Sequence, residues 1–254
     1  MTLAFPPIAM PGRSGGRVAL LVEMALIAAV IGVVLGMGRW LDDPEHFPVR
    51  VVHVEGEFEH LDGKDLEDRV NRHLTGSFFG VDLEEIYGAV GDLPWVKSVA
   101  LRREWPDTLW IEIEEQEPVA HWRGDALLNT EARVFRPETL DDGLDGLPVL
   151  SGPEGREAAV WQRFQRYREM VAPVGLEVTS VKEDVRRAVT VYLANGTHLR
   201  LGRKAQAERL GRFVKAYPEA LADRIERVKQ VDLRYPNGFS VAWSTAGQAN
   251  ESGE

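Results

Sequence analysis

Trp95–Gln116 reads WVKSVALRREWPDTLWIEIEEQ, and its rhythm decides the fold around it. From Thr108 to Gln116, Leu109, Ile111 and Ile113 alternate with Trp110, Glu112 and Glu114, the two-residue period of a half-buried strand. Trp95 to Arg103 reads as its neighbour, and Glu104-Trp105-Pro106-Asp107 supplies the turn. The apolar face of such a pair needs a cover, which lies just upstream. Asp62 can cap a helix whose Leu66, Val70 and Leu74 share one face. Asp82, with Glu85 three residues on, opens a second helix bearing Leu83, Ile86 and Val90 and ending at Gly91. A strand from about Val49 to Gly56 precedes both. The order β-α-α-β-β over residues 49–116 predicts one sheet face under two helices and a Glu-rich face in water.

Further upstream lies Val18–Gly38, VALLVEMALIAAVIGVVLGMG. As a helix its 21 residues reach about 32 Å, which matches a hydrocarbon core of about 30 Å. Arg13 and Arg17 precede the run, whereas Asp42, Asp43 and Glu45 follow Arg39, so the positive-inside tendency keeps residues 1–17 in the cytoplasm and exports everything after Trp40. A cleaved signal peptide is the rival, but its apolar core is shorter, about 7 to 15 residues, and ends at a small-residue cleavage site. Glu23 lies close enough to Arg17 to lean toward the cytoplasmic interface. Gly32 and Gly36 have the spacing that lets a second helix approach closely, although glycine is common in such helices anyway.

Three arginines against Glu23 leave the first 41 residues at +2, so the remainder carries −12 of the formal −10. An acidic exported domain does not attract phosphate backbones, which disfavours nucleic-acid binding. The chain has no cysteine, and so no disulfide, thiolate nucleophile or Cys-based metal site.

Downstream, Pro118 opens a unit of different rhythm, residues 117–243. Short strands are expected near Val119–Trp122, Ala126–Asn129 and Val134–Arg136; a loop holding Gly143, Gly146 and Pro148 then leads through Leu147–Leu150 to Gly152-Pro153, and a helix from Arg156 carries Val160, Phe164, Tyr167 and Val171. Strands near Leu176–Val181, Ala188–Ala194 and Thr197–Leu201 follow, the last two flanking the tight-turn pair Asn195-Gly196. A helix from Arg203 to Ala216 ends before Pro218, and Val228–Tyr235 pairs with Phe239–Trp243 around Pro236-Asn237-Gly238. A mostly antiparallel sheet with two helices results, so the fold class is α+β behind a single N-terminal transmembrane helix. Residues 244–254, STAGQANESGE, read as a disordered tail.

Catalytic patterns dissolve on inspection. Gly12-Arg13-Ser14-Gly15-Gly16 matches a nucleophile elbow by letter, yet lies in the cytoplasmic tail rather than on a strand-to-helix turn. The six histidines form no helical H-E-x-x-H pair. Asp141, Asp142 and Asp145 lack calcium-loop spacing, and Glu112, Glu114, Glu115 and Glu117 follow the outward phase of a strand. The sequons at Asn195 and Asn250 are explained by a turn and a polar tail. A surface for other proteins remains. Phe239, Val241 and Trp243 alternate on one face of the last strand, which suits either a sheet edge that accepts a foreign strand or plain core filling.

Leu93-Pro94-Trp95-Val96-Lys97, Arg102-Arg103-Glu104-Trp105-Pro106-Asp107, Gly152-Pro153-Glu154-Gly155, Arg212-Phe213-Val214 with Tyr217-Pro218, and Val231-Asp232-Leu233-Arg234-Tyr235 with Gly238 stand in this order behind the anchor. Together they resemble the bacterial FtsQ/DivIB cell-division family. The resemblance implies a POTRA domain, then the family's β domain, in the cell inner membrane at the division septum with the domains in the periplasm. It implies a non-enzymatic divisome scaffold without cofactor, binding FtsB and FtsL and helping to control septal peptidoglycan synthesis by FtsW and FtsI. FtsB would add a strand to the last β strand and touch Arg234, Tyr235, Asn237, Gly238, Phe239 and Trp243, with Arg186 or Arg187. Arg234 would meet an acidic side chain of the partner; Phe239 departs from the small residue expected there. The alternatives are a membrane-tethered POTRA chaperone or assembly factor for exported proteins, which usually precedes a membrane barrel, and a peptidoglycan hydrolase.

Overall fold

A computed structural model describes residues 15–140 and 142–244. Gly12, Arg13 and Ser14 of the elbow-like motif, Asp141, the Asn250 sequon and the rest of the tail from residue 245 lie outside the described residues. The chain divides into two units, Met1–Glu114 and Glu115–Glu254.

The first unit begins with α1 (Gly15–Leu41), three residues longer at each end than the apolar run predicts. Its side chains from Leu20 to Trp40 are exposed all round, and the helix is long and apolar enough to cross a membrane. Then come β1 (Val51–Glu55), α2 (Gly63–His73), α3 (Leu83–Gly91), β2 (Val96–Glu104) and β3 (Thr108–Glu115). Strand order is β1-β3-β2, with β1 parallel to β3. The central strand is the one with the strict alternation: Leu109, Ile111 and Ile113 are buried beneath Leu66 and Val70 of α2 and Ile86 and Val90 of α3. Both caps form, Asp62 accepting from the Lys64 amide at 2.8 Å and Asp82 from the Glu84 and Glu85 amides at 2.8 and 3.3 Å. On the opposite face Glu112 and Glu114 are exposed, and Lys97 and Ser98 donate to Glu114 and hold its carboxyl below its ordinary range.

The second unit is one sheet of nine strands: β4 (Pro118–Trp122), β5 (Ala126–Asn129), β6 (Val134–Phe135), β7 (Val149–Ser151), β8 (Val178–Glu183), β9 (Val189–Leu193), β10 (His198–Gly202), β11 (Val228–Asp232) and β12 (Ser240–Trp243). Their order is β12-β11-β10-β9-β8-β7-β4-β5-β6. Three neighbouring pairs, β4·β7, β7·β8 and β10·β11, are parallel because helices or long connections intervene, and the other five are antiparallel. Two helices cover the sheet: α4 (Glu157–Val171) by Val160, Phe164, Tyr167 and Val171, and α5 (Gln206–Ala220) by Leu210, Phe213 and Tyr217.

Two of the boundaries that differ from expectation have a clear physical cause. Pro218 does not stop α5; it forfeits only its own ladder bond, while buried Tyr217 and Leu221 hold the last turn on the core, with the Leu221 amide bonding the Tyr217 carbonyl at 3.0 Å. β11 ends at Asp232 rather than Tyr235, because the Asp232 carboxylate turns back to accept the Arg234 amide at 3.1 Å and diverts the chain from the ladder.

A candidate protein-docking edge

β12 is a terminal strand of the sheet, and among the described residues no strand lies on its outer side. It pairs antiparallel with β11 from Asp232↔Ser240 to Val228↔Trp243, with the one irregularity on the β11 side. Just beyond it the Ser244 amide donates to the Arg227 carbonyl at 2.7 Å. Backbone direction alternates along an antiparallel strand, so Ser240, Ala242 and Ser244 turn their amides and carbonyls to β11. Val241 and Trp243 turn theirs outward. Two unpaired backbone steps thus face whatever lies alongside.

Side chains frame this rim unequally. Phe239 and Val241 pack partly buried against the core, Phe239 edge-on to Phe213 at 6.3 Å, so the aromatic expected at the partner contact is largely committed inward. Trp243, on the same face, is exposed, with the Arg224 guanidinium 5.7 Å from its ring centre. A Cβ at Gly238 would meet nothing within 4 Å, so no contact inside the chain demands glycine there. Asn237 is exposed beside it.

Arg234 stands at the head of the rim, and its side chain is half exposed. Its Nε donates to both carboxylate oxygens of Asp232 at 2.8 and 3.0 Å, and its Nη2 to Oδ2 at 2.6 Å. The Asp232 side chain is only 7 % exposed. Arg200, opposite Asp232 in the β10·β11 register, adds a second cation at 3.9 Å. These donors hold the Asp232 carboxyl below its ordinary range and raise the pKa of Arg234. A guanidinium has five N–H donors, so Arg234 keeps its outer edge, aimed by Asp232, for another acceptor. Next to it Tyr235 is exposed, and Arg212 of α5 props the turn by donating to the carbonyls of Pro236 at 2.6 Å and Tyr235 at 3.1 Å.

Arg187 reaches the same end of the sheet. Its backbone is left-handed, φ 66°, on the β8–β9 turn, and its carbonyl accepts Gln206 Nε2 at 3.4 Å. Gln206 also binds the Gly202 carbonyl, and a Cβ at Gly202 would crowd the side chains of Arg209 and Arg234, at 3.0 and 3.1 Å. Arg186 is exposed on that turn, its amide bonded to Asp184 at 2.8 Å. Asp232, Arg212 and Arg224 escaped the sequence reading as functional residues. For Asp232 a signal existed: Asp-Leu-Arg places both charges on one side of an extended chain.

Known proteins agree with this architecture. Residues 47–116 match the POTRA domain, FtsQ-type, and residues 120–234 the C-terminal domain of cell division protein FtsQ/DivIB. The chain belongs to the FtsQ/DivIB family. It is 38 % identical over 233 residues to cell division protein FtsQ of Thioalkalivibrio sp. (strain K90mix), covering 91 % of this chain and 95 % of that protein. Its counterpart in Coxiella burnetii is 34 % identical over 89 % of each chain, and that in Neisseria meningitidis serogroup B 33 % identical over 92 % of this chain and 97 % of its own. The chain is therefore an FtsQ-family cell-division protein with a POTRA domain and an N-terminal apolar helix suited to a single-pass anchor. The matched C-terminal domain stops at Arg234, short of rim residues 235–243.

Proposed function

We propose that this FtsQ-family protein is a non-enzymatic divisome scaffold whose β12 edge receives a strand from FtsB. FtsL joins the same complex, and through it the protein helps control septal peptidoglycan synthesis by FtsW and FtsI. The anchor sits in the inner membrane at the septum, with the N-terminus in the cytoplasm and both folded units in the periplasm. Gly32 and Gly36, each with open space where a Cβ would stand, form the seam for a second membrane helix.

One observation carries the docking proposal: the terminal strand leaves the Val241 and Trp243 backbone outward, with Arg234 and Tyr235 at its head. An incoming strand continues the ladder, its acidic side chain meets the outer edge of Arg234, and Tyr235 supplies a large amphipathic contact. Asn237, Gly238, Phe239 and Trp243 line the path, with Arg186 and Arg187 extending it across the β8–β9 turn. Titrating the full chain in detergent with an FtsB peptide tests this. Arg234→Glu or Tyr235→Ala should abolish binding without unfolding the protein, and unchanged affinity in both rejects the surface.

A further inference from the structure

The end of α1 is not followed by a free linker. Trp40, in its last turn, is 49 % exposed, and its ring meets Phe47 edge-on at 5.2 Å and His46 at 5.5 Å. Phe47 is tied in turn to the α2–α3 loop: its carbonyl accepts the Phe78 amide at 2.6 Å, and its ring lies 5.3 Å from Phe79. The Asp42 carboxylate occupies the space that a Cβ at Gly80 would fill. Phe78 is buried, but Phe79 is 46 % exposed. With steps of 5.2 and 5.3 Å, the Phe79 ring centre lies within about 10.5 Å of the Trp40 ring centre. Trp40 closes a 22-residue apolar span and so sits at the level where aromatic side chains prefer the headgroup boundary.

We propose that the α2–α3 loop rests on the outer face of the bilayer, with Phe79 inserted among the phospholipid headgroups beside Trp40. The contact is apolar. Asp42, Asp43 and Glu45 crowd this corner and repel anionic headgroups, so attraction by charge is not its source. Burying half of an aromatic ring in the interface fixes the tilt of the first unit against the membrane plane, a second point of attachment besides the span. The inference rests on α1 crossing the membrane.

The native chain has no cysteine, so single cysteines can be labelled without background. Phe79→Cys, Ile31→Cys and Val185→Cys variants of the full chain, each carrying an environment-sensitive fluorophore, are reconstituted into vesicles of phosphatidylethanolamine and phosphatidylglycerol. Val185, 87 % exposed in the second unit, serves as the solvent reference. The expected result is blue-shifted emission at position 79 and loss of its intensity when the lipids carry a headgroup spin label, with neither change at 185. Position 31 should respond to a spin label deep in the acyl chains. Lipid response at 31 with solvent-like behaviour at 79 overturns the loop contact while leaving the anchor intact; solvent-like behaviour at both overturns the two together.

Discussion

Replacing Asp232 by asparagine separates the aiming of Arg234 from its mere presence. The amide keeps one oxygen for the Arg234 amide and Nε, but trades Oδ2 for an NH2 group that faces Nη2 of Arg234 and lies beside Arg200. Donor then meets donor. A buried hydrogen bond to a charged group is worth about 1.5–3 kcal/mol, and because the Arg234 side chain is 49 % exposed, water competes and the loss shrinks to about 1 kcal/mol. For a unit of this size that is about 3–4 °C in melting temperature. Arg234 would then sample rotamers that the carboxylate now excludes, and the affinity for an FtsB peptide should fall about fivefold, the equivalent of 1 kcal/mol. Titration calorimetry on the full chain in detergent, beside thermal unfolding, measures both. The pair also has a pH signature. Since Arg234 holds the Asp232 carboxyl below its ordinary 3.8, the native state takes up this proton less readily than the unfolded chain. Its stabilisation is complete above that value and lost as pH falls through the lower native pKa, so the gap between native chain and variant should stay constant from about pH 7 to 5 and close below about pH 4. Unchanged affinity together with an unchanged melting temperature would refute the aiming argument.

Proline substitutions test the backbone directions: Val241→Pro removes an outward N–H and should leave the fold within about 1 kcal/mol while blocking FtsB, whereas Ala242→Pro removes an inward one and should fray β12. Circular dichroism melts paired with peptide titration distinguish the two. Glu183 has a fully buried side chain, paired with Arg156 at 3.2 Å and with Arg163, and joins β8 to α4. Glu183→Ala frees two arginines that can reach water and should cost about 2 kcal/mol, while removing both arginines strands the carboxylate and should cost about 3–5 kcal/mol, read from urea unfolding. Arg212→Ala releases the Tyr235 and Pro236 carbonyls and should weaken FtsB binding with little change in melting temperature, since both groups become accessible to water.

Where local chemistry and long-range packing agree, the sequence carried the structure. Asp62 and Asp82 cap their helices, and Leu109, Ile111 and Ile113 bury as their alternation demands, because each signal is complete within a few residues. Pro218 misled, since its helix-breaking tendency was outweighed by the core that holds Tyr217 and Leu221. The four parallel pairings, β1·β3, β4·β7, β7·β8 and β10·β11, were not legible at all: sequence period gives the face of a strand but not its neighbour. At the candidate edge, the residue types at Arg234, Tyr235 and Trp243 were readable as contact chemistry. The turn of Phe239 into the core depends on Phe213 of α5 and the second cation beside Asp232 is Arg200 of β10, both distant in sequence, whereas the hold of Asp232 on Arg234 spans only two residues.

Amide hydrogen exchange along β12, followed residue by residue in the full chain with and without an FtsB peptide, addresses the docking edge at the level of single backbone groups. The Val241 and Trp243 amides should exchange fast in the free chain and slow on addition of the peptide, while Ala242, already bonded to β11, is protected throughout. Protection of Val241 and Trp243 in the free chain, or no slowing when the peptide binds, contradicts strand addition at this edge.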